Sequence, residues 1–341
     1  MTLCLLSTNP SARGLAFAFG SFQSFYVLDF LPSTSTSAIS WTGTIQSWLL
    51  IIGGLISGPL FDLGYYTHLI SIGSFLSVFG IMMLSLATEY YQILLSQGIC
   101  TGLGFGLLYI PSLTIVSRSF VRKRALALGI ATAGAPAGGV IYTLIFEQLL
   151  PRVGFAWTVR TIGSVMLGLF VAAGAMISFT ADAAKSTPAQ VPATRARKRQ
   201  LFDTAALKDS PFWSYTLANF FLYLGYMSPA TTLVRFVLFA AFYGGISGAL
   251  VPLPPSVFPH ICPDSSALGT WMGMAQSITS FAPLIGAPIA GALADLGSNG
   301  DEDLNFINVQ LWRGILLVSG AVQLLGLWWL LWRFRGKKGL F

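Results

Sequence analysis

Apolar residues in this chain come in runs of membrane length, separated by short polar breaks. With roughly 17–25 mostly apolar residues as the measure of a bilayer crossing, the pattern predicts about ten spans. The first runs from Gly14 to Leu31 and carries Gln23 and Asp29. A Ser/Thr-rich link, Ser33 to Ser40, reads as lying outside the membrane. The second span, Trp41 to Phe61, presents Gly53, Gly54, Ser57 and Gly58 as a close-packing face. A tight turn, Asp62 to Tyr66, leads to the third span, Thr67 to Ala87. Glu89 and two tyrosines mark an interface before the fourth, Tyr91 to Val116.

The polar breaks then give each span a side. Arg118, Arg122, Lys123 and Arg124 crowd into one short loop, which reads as cytoplasmic because cations between spans stay inside. Spans five and six follow, Ala125 to Glu147 and Thr158 to Phe179. The segment 181–211 is rich in Lys, Arg and Pro and reads as a solvated linker between two halves. A seventh span starts at Phe212 and fades at Met227-Ser228-Pro229. Others cover Val234 to Val251, Trp271 to Ala294 and Gln310 to Trp332, before a basic tail. Threading the chain with both ends in the cytoplasm puts most of the 19 Lys and Arg inside and the acidic turn Asp301 to Asp303 outside.

The expected fold class is therefore an all-α, multi-pass membrane protein. Its expected regions are a transmembrane half at 1–180, a cytoplasmic linker at 181–211 and a shorter transmembrane half at 212–341. Only 9% of residues are charged and 54% are hydrophobic, against about 25% charged in a soluble domain. The net charge of +7 does not read as a nucleic-acid surface, because the cations cluster between apolar runs. Three cysteines and two histidines, all far apart in sequence, make neither a disulfide framework nor a metal site. No nucleophile–base–acid arrangement is visible, so the chain reads as a non-enzyme without cofactor or metal. The N-terminus lacks a charged n-region and a long h-region, so no cleaved signal peptide is expected.

Polar residues inside spans are the candidates for solute binding, since they are costly in lipid and tend to face a cavity. They are Gln23, Tyr109, Tyr142, Asn219, Tyr223 and Arg160, the last with Glu147 as a candidate partner. The tyrosines have a plainer reading as packing or interfacial aromatics, and Arg160 as a residue that snorkels outward. Asp62 at the inner end of the second span is a candidate gate residue with the cations Arg118, Arg122 and Arg124. It would face the N-terminus of the next helix, where carboxylates are favoured. The plainer reading is a polar turn with an N-cap aspartate. Gly102-Leu-Gly-Phe-Gly106 lies within an apolar run without the strand and acidic residue of a dinucleotide site, so it reads as helix packing.

Several stretches together resemble the major facilitator superfamily, in particular its fungal members similar to monocarboxylate transporters. They are Ile39-Ser-Trp-Thr-Gly43, Gly58-Pro-Leu-Phe-Asp-Leu-Gly-Tyr-Tyr66, Gly102 to Ser112, Arg122 to Gly139, Gly154-Phe-Ala-Trp-Thr-Val-Arg160, Cys262 to Gly269 and Gly286 to Leu293. The resemblance implies a helical bundle of two halves working by alternating access, with about ten of twelve helices present here. It also implies proton-linked transport of small organic anions across a lipid bilayer, at the plasma or vacuolar membrane. Homo-oligomerisation is a further expectation. Three departures stand out. The first span lacks its N-terminal part. The chain passes from the seventh span to the tenth near Met227 to Arg235, where the family's Asp/Arg pair would lie. Trp271 stands where relatives carry an arginine. A non-transporting remnant or sensor on the same scaffold is the alternative.

Overall fold

The computed structural model describes residues 14–32, 34–119, 124–185, 204–226, 253–262, 267–286, 289 and 307–335. The expected span at 234–251, the acidic turn at 301–303 and Arg122 lie outside them. The described residues are helical apart from short turns, with no strand among them.

Helix α1 covers Phe19–Phe25 and continues as a π-helical turn, Tyr26–Phe30. Helix α2 runs over Thr36–Ile52 and, past Gly53, over Gly54–Asp62. It therefore takes in most of the Ser/Thr link that the sequence places outside the span. Ser35 explains the early start: its Oγ accepts from the Ala38 N–H at 3.3 Å, satisfying one of the free N–H groups of the first turn. Gly64, at φ 96°, turns the chain into α3, Tyr66–Leu84. Helix α4 opens at Tyr90–Ile93 with a reciprocal capping box between Glu89 and Gln92. Leu94–Cys100 is π-helical before Thr101–Ser119 resumes the α-helix.

Arg124–Lys185 is one helical string broken at Gly154 (φ 77°, ψ 172°), giving two arms, α5 and α6. The second arm runs on to Lys185, into the segment 181–211 that the sequence reading takes for a linker. After the short helix Thr204–Lys208 comes α7, Ser210–Tyr226. Helix α8, Leu253–Ile261, falls in a proline-rich stretch that the hydrophobic pattern leaves unassigned. Prolines in a helix's first turn replace N–H groups that have no partner there anyway. Helices α9, Leu268–Thr279, and α10, Ile307–Arg335, complete the described fold.

Among the described residues, four helical stretches are long and apolar enough to cross a membrane: Ala38–Asp62, Tyr66–Leu84, Tyr90–Ser117 and Leu126–Ala175. The last has 50 residues, enough for two crossings. Lipid tails are as apolar as leucine, so these helices associate by close approach rather than by hydrophobic drive. A methyl at Gly104 would meet Ser77 and the Gly73 carbonyl, tying α4 to α3, and one at Gly106 would meet the Leu49 carbonyl and Gly53 of α2. The glycine run at 102–106 is therefore a packing surface. Phe22 packs on Phe146 with centroids 4.1 Å apart, joining α1 to α5. Outward faces are apolar, as in Ile72 and Phe75 on α3 and Ile315, Val318 and Val322 on α10.

Candidate functional site

Helices α2 and α9 belong to different halves of the chain and cross through two glycine pairs of the same spacing. Gly54 and Gly58 on α2 face Gly273 and Gly269 on α9. A methyl on Gly58 would overlap the Gly269 carbonyl, and one on Gly273 would overlap that of Gly54. Small residues four apart allow this backbone-to-backbone approach. Further along the same seam, the Ser277 hydroxyl donates to the Ile52 carbonyl at 3.4 Å, and Trp48 meets Phe281 edge-on at 6.2 Å.

Asp62 closes one end of the seam. Its carboxylate accepts from the backbone N–H of Thr270 at 2.7 Å, from the Thr270 hydroxyl at 2.8 Å and from the N–H of Gly269 at 3.2 Å. These groups sit in the first turn of α9, where N–H groups lack helical partners and the helix dipole is positive. The sequence reading set Asp62 against the N-terminus of the following helix. Instead, Leu63 and Gly64 turn that helix away, and α3 starts at Tyr66 after an N-cap residue, Tyr65, that gives no side-chain cap. Nearby, α4 reaches the second half as well: the Ser117 hydroxyl donates to the Pro255 carbonyl at 2.8 Å, and Thr114 Oγ1 lies 4.0 Å from Met272 Sδ. The expected gate residues Arg118 and Arg124 fall at the end of α4 and the start of α5.

The expected binding residues separate into groups. Tyr109 on α4 and Asn219 and Tyr223 on α7 are all buried, as is a further tyrosine of α7, Tyr215. Tyr215, Asn219 and Tyr223 follow at spacings of four along one face of α7, a signal in the sequence that had picked out only two of them. Tyr142 on α5 is equally buried, in the core of the first half beside Phe146. Gln23 is half-buried and bridges two helices, its Nε2 donating to Ser40 Oγ at 2.8 Å.

Arg160 does not pair with Glu147. Its Nε donates to Ser85 Oγ at 3.2 Å at the end of α3, and its guanidinium lies 5.0 Å from the Trp157 ring centre. Glu147 accepts instead from the Ser21 hydroxyl of α1 at 3.3 Å. The break at Gly154 points the two arms at different neighbours, which a residue count across it cannot show.

Sequence reasoning missed Thr270 and a set of buried amides. Gln97, in the π-helical turn of α4, accepts from the Tyr26 hydroxyl at 2.7 Å. Gln46 on α2 and Gln276 on α9 are fully or almost fully buried, with neither carboxamide atom partnered among the described residues. Among those residues no group of three or more His, Cys, Asp or Glu could hold a metal ion.

A sequence profile described as Major Facilitator Superfamily matches residues 11–235. The chain belongs to this superfamily. It is a membrane transporter and not an enzyme. The chain is 31% identical to the MFS-type transporter pynF of Aspergillus niger, over 91% of this chain and 83% of the relative. The MFS-type transporter dbaD of Emericella nidulans is 29% identical over 91% of this chain and 80% of its own length. The aspyridones efflux protein apdF of the same organism is 29% identical over 92% and 74%. The dbaD match runs over 377 residues although this chain has only 341, so the relative carries extra residues within the matched stretch. Among solved structures, the MFS transporter FucP in its outward conformation superposes with a TM-score of 0.60, covering 94% of this chain and 97% of that one at 15% identity. This likeness concerns the fold of the superfamily transporter.

Proposed function

We propose that this transporter is secondary-active and works by alternating access, with the Asp62 end of the α2–α9 seam as one of its two gates. The observation that carries the reading is the Asp62 carboxylate seated on the first turn of α9. It joins the two halves through hydrogen bonds that rocking of one half against the other would break and remake. The basic loop at 118–124 puts this gate on the cytoplasmic side by charge bias, with both chain ends on that side too. In this reading Arg118, Arg122 and Arg124 are the cations of the gate.

The solute in this reading is a small monocarboxylate-like molecule moved with protons, as the resemblance to the monocarboxylate branch implies. Tyr109, Tyr142, Asn219 and Tyr223, with Gln23 and Arg160 nearer the opposite end, are the proposed solute contacts. The two halves are 1–180 and 212–341, joined by the linker. The membrane is the plasma or vacuolar one, and self-association would cover the flank of the shorter half.

The test is counterflow in proteoliposomes loaded with unlabelled lactate, pyruvate or benzoate. Accumulation of the labelled solute that is lost in Asp62→Ala supports the reading. The extra residues of relatives within the matched stretch favour a second reading, a non-transporting remnant or sensor. That reading predicts specific binding with no counterflow of any solute.

A further inference from the structure

Helices α2, α4 and α9 meet at a place that bears on what the transporter recognises. On α2, Gln46 shares its face with Gly53 and Ser57, and this face looks at α4: Gln46 packs its backbone on Gly102, Gly53 packs on Gly106, and Ser57 donates to the Gly106 carbonyl at 3.1 Å. On α9, Gln276 stands one turn beyond Met272, whose sulfur faces Thr114 of α4. Gly54 meets both Ile110 of α4 and Gly273 of α9, so the three helices come together here. The two glutamines thus stand in opposite halves, on faces turned toward the same third helix. Along the seam Gln276 falls between the Asp62 clasp and the Trp48–Phe281 contact, and Gln46 lies about half a turn past that contact.

Both side chains are hidden, at 0% exposure for Gln46 and 2% for Gln276. Each has its Oε1 and its Nε2 without a partner among the described residues. Burying amide groups without hydrogen bonds is costly, and inside a membrane no bulk water offsets that cost. A carboxamide offers an acceptor and a donor side by side. Its complement is a neutral group with the same pair reversed: another amide, a lactam or a protonated carboxyl. An ionised carboxylate brings acceptors only. It would leave both Oε1 atoms unsatisfied and would carry a buried charge against two neutral partners.

We propose that Gln46 and Gln276 are specificity residues that bind a neutral donor–acceptor group of the solute between the two halves. This rests on the transporter reading and sharpens it: a monocarboxylate would be held here as the neutral acid, bringing its own proton, rather than as the anion. The two amides come from halves that move against each other, so the bound group would also link the halves in the occluded state.

The test uses the purified full chain and three probes of one shape at neutral pH: benzamide, benzoate and N,N-dimethylbenzamide, which lacks the donor. Binding is read by calorimetry, which requires no transport, so failure of counterflow and failure of this proposal remain distinct. Benzamide is expected to bind at least tenfold more tightly than either other probe. Gln46→Leu and Gln276→Leu should each weaken benzamide at least tenfold. Both variants should fold, because leucine fills the space without orphan polar atoms, and thermal unfolding checks this. Gln46→Glu and Gln276→Glu supply a second pair should either leucine variant misfold, and both should weaken benzamide as well. Benzoate binding as tightly as benzamide would overturn the proposal. So would undiminished binding in the variants, or no benzamide binding to the native chain. In the last two cases the glutamines hold only structural water.

Discussion

The Tyr26 hydroxyl donates to Gln97 Oε1 at 2.7 Å, and both residues sit in π-helical turns, one on α1 and one on α4. Each π-helical turn takes in one extra residue and re-aims the side chains around it, and such turns recur at functional sites. Here the two distortions bring a phenol and an amide together across helices in a buried core. We expect Tyr26→Phe to lower stability by about 0.6–1.7 kcal/mol, the range for hydrogen bonds between membrane helices. Gln97→Leu in the Tyr26→Phe background should cost less than in the native chain. Reversible unfolding in mixed detergent micelles measures both. Strict additivity of the two substitutions would show that the bond carries no energy.

Asp62→Ala removes the acceptor of two N–H groups and one hydroxyl at the start of α9. Charge at a helix N-terminus is worth up to about 2 kcal/mol when partly buried. At about 1.4 kcal/mol per factor of ten, the two-state balance should move roughly tenfold toward the state open at this end. Alkylation of a cysteine placed at Ser277, on the α2–α9 seam itself, should speed up accordingly. Asp62→Asn keeps one acceptor oxygen and should show a smaller change. An unchanged rate in both variants would remove Asp62 from the gate.

The glycine pairs of the α2–α9 seam should tolerate no side chain. Gly273→Ala places its Cβ against the Gly54 carbonyl, whereas the same change at Gly129 meets nothing within 4 Å. Overpacking of this kind costs about 1–3 kcal/mol. Spin labels at Ile56 and Phe281, both substantially exposed, should report a wider separation in Gly273→Ala and no change in Gly129→Ala. Equal distances in all three proteins would mean that the seam has slack.

Arg160 and Glu147 should behave as independent residues. A double-mutant cycle on them is expected to give coupling near zero. The cycle between Arg160 and Ser85 should give a measurable term, since those two share a hydrogen bond of 3.2 Å. Coupling larger for Glu147 than for Ser85 would contradict the observed pairing.

The sequence by itself determined that the chain is a helical membrane protein, and roughly where its helices lie. Long apolar runs leave a backbone in lipid no choice but the helix, and Gly64 marked a real turn. It also flagged Asp62 and the small-residue face at Gly54 and Gly58, since those signals are local. The early start of α2 at Thr36 and the helix at Leu253–Ile261 went unread. In the first, polar residues inside a helix hid the boundary; in the second, prolines did. Only the tertiary structure decided what each polar group meets. Asp62 found α9 rather than α3, Arg160 found Ser85 rather than Glu147, and Gln46 and Gln276 came to face one helix from opposite halves. A hydrophobic pattern records which residues avoid water but not which neighbour each helix face will meet. In a membrane that choice rests on close approach and hydrogen bonds between residues far apart in the chain.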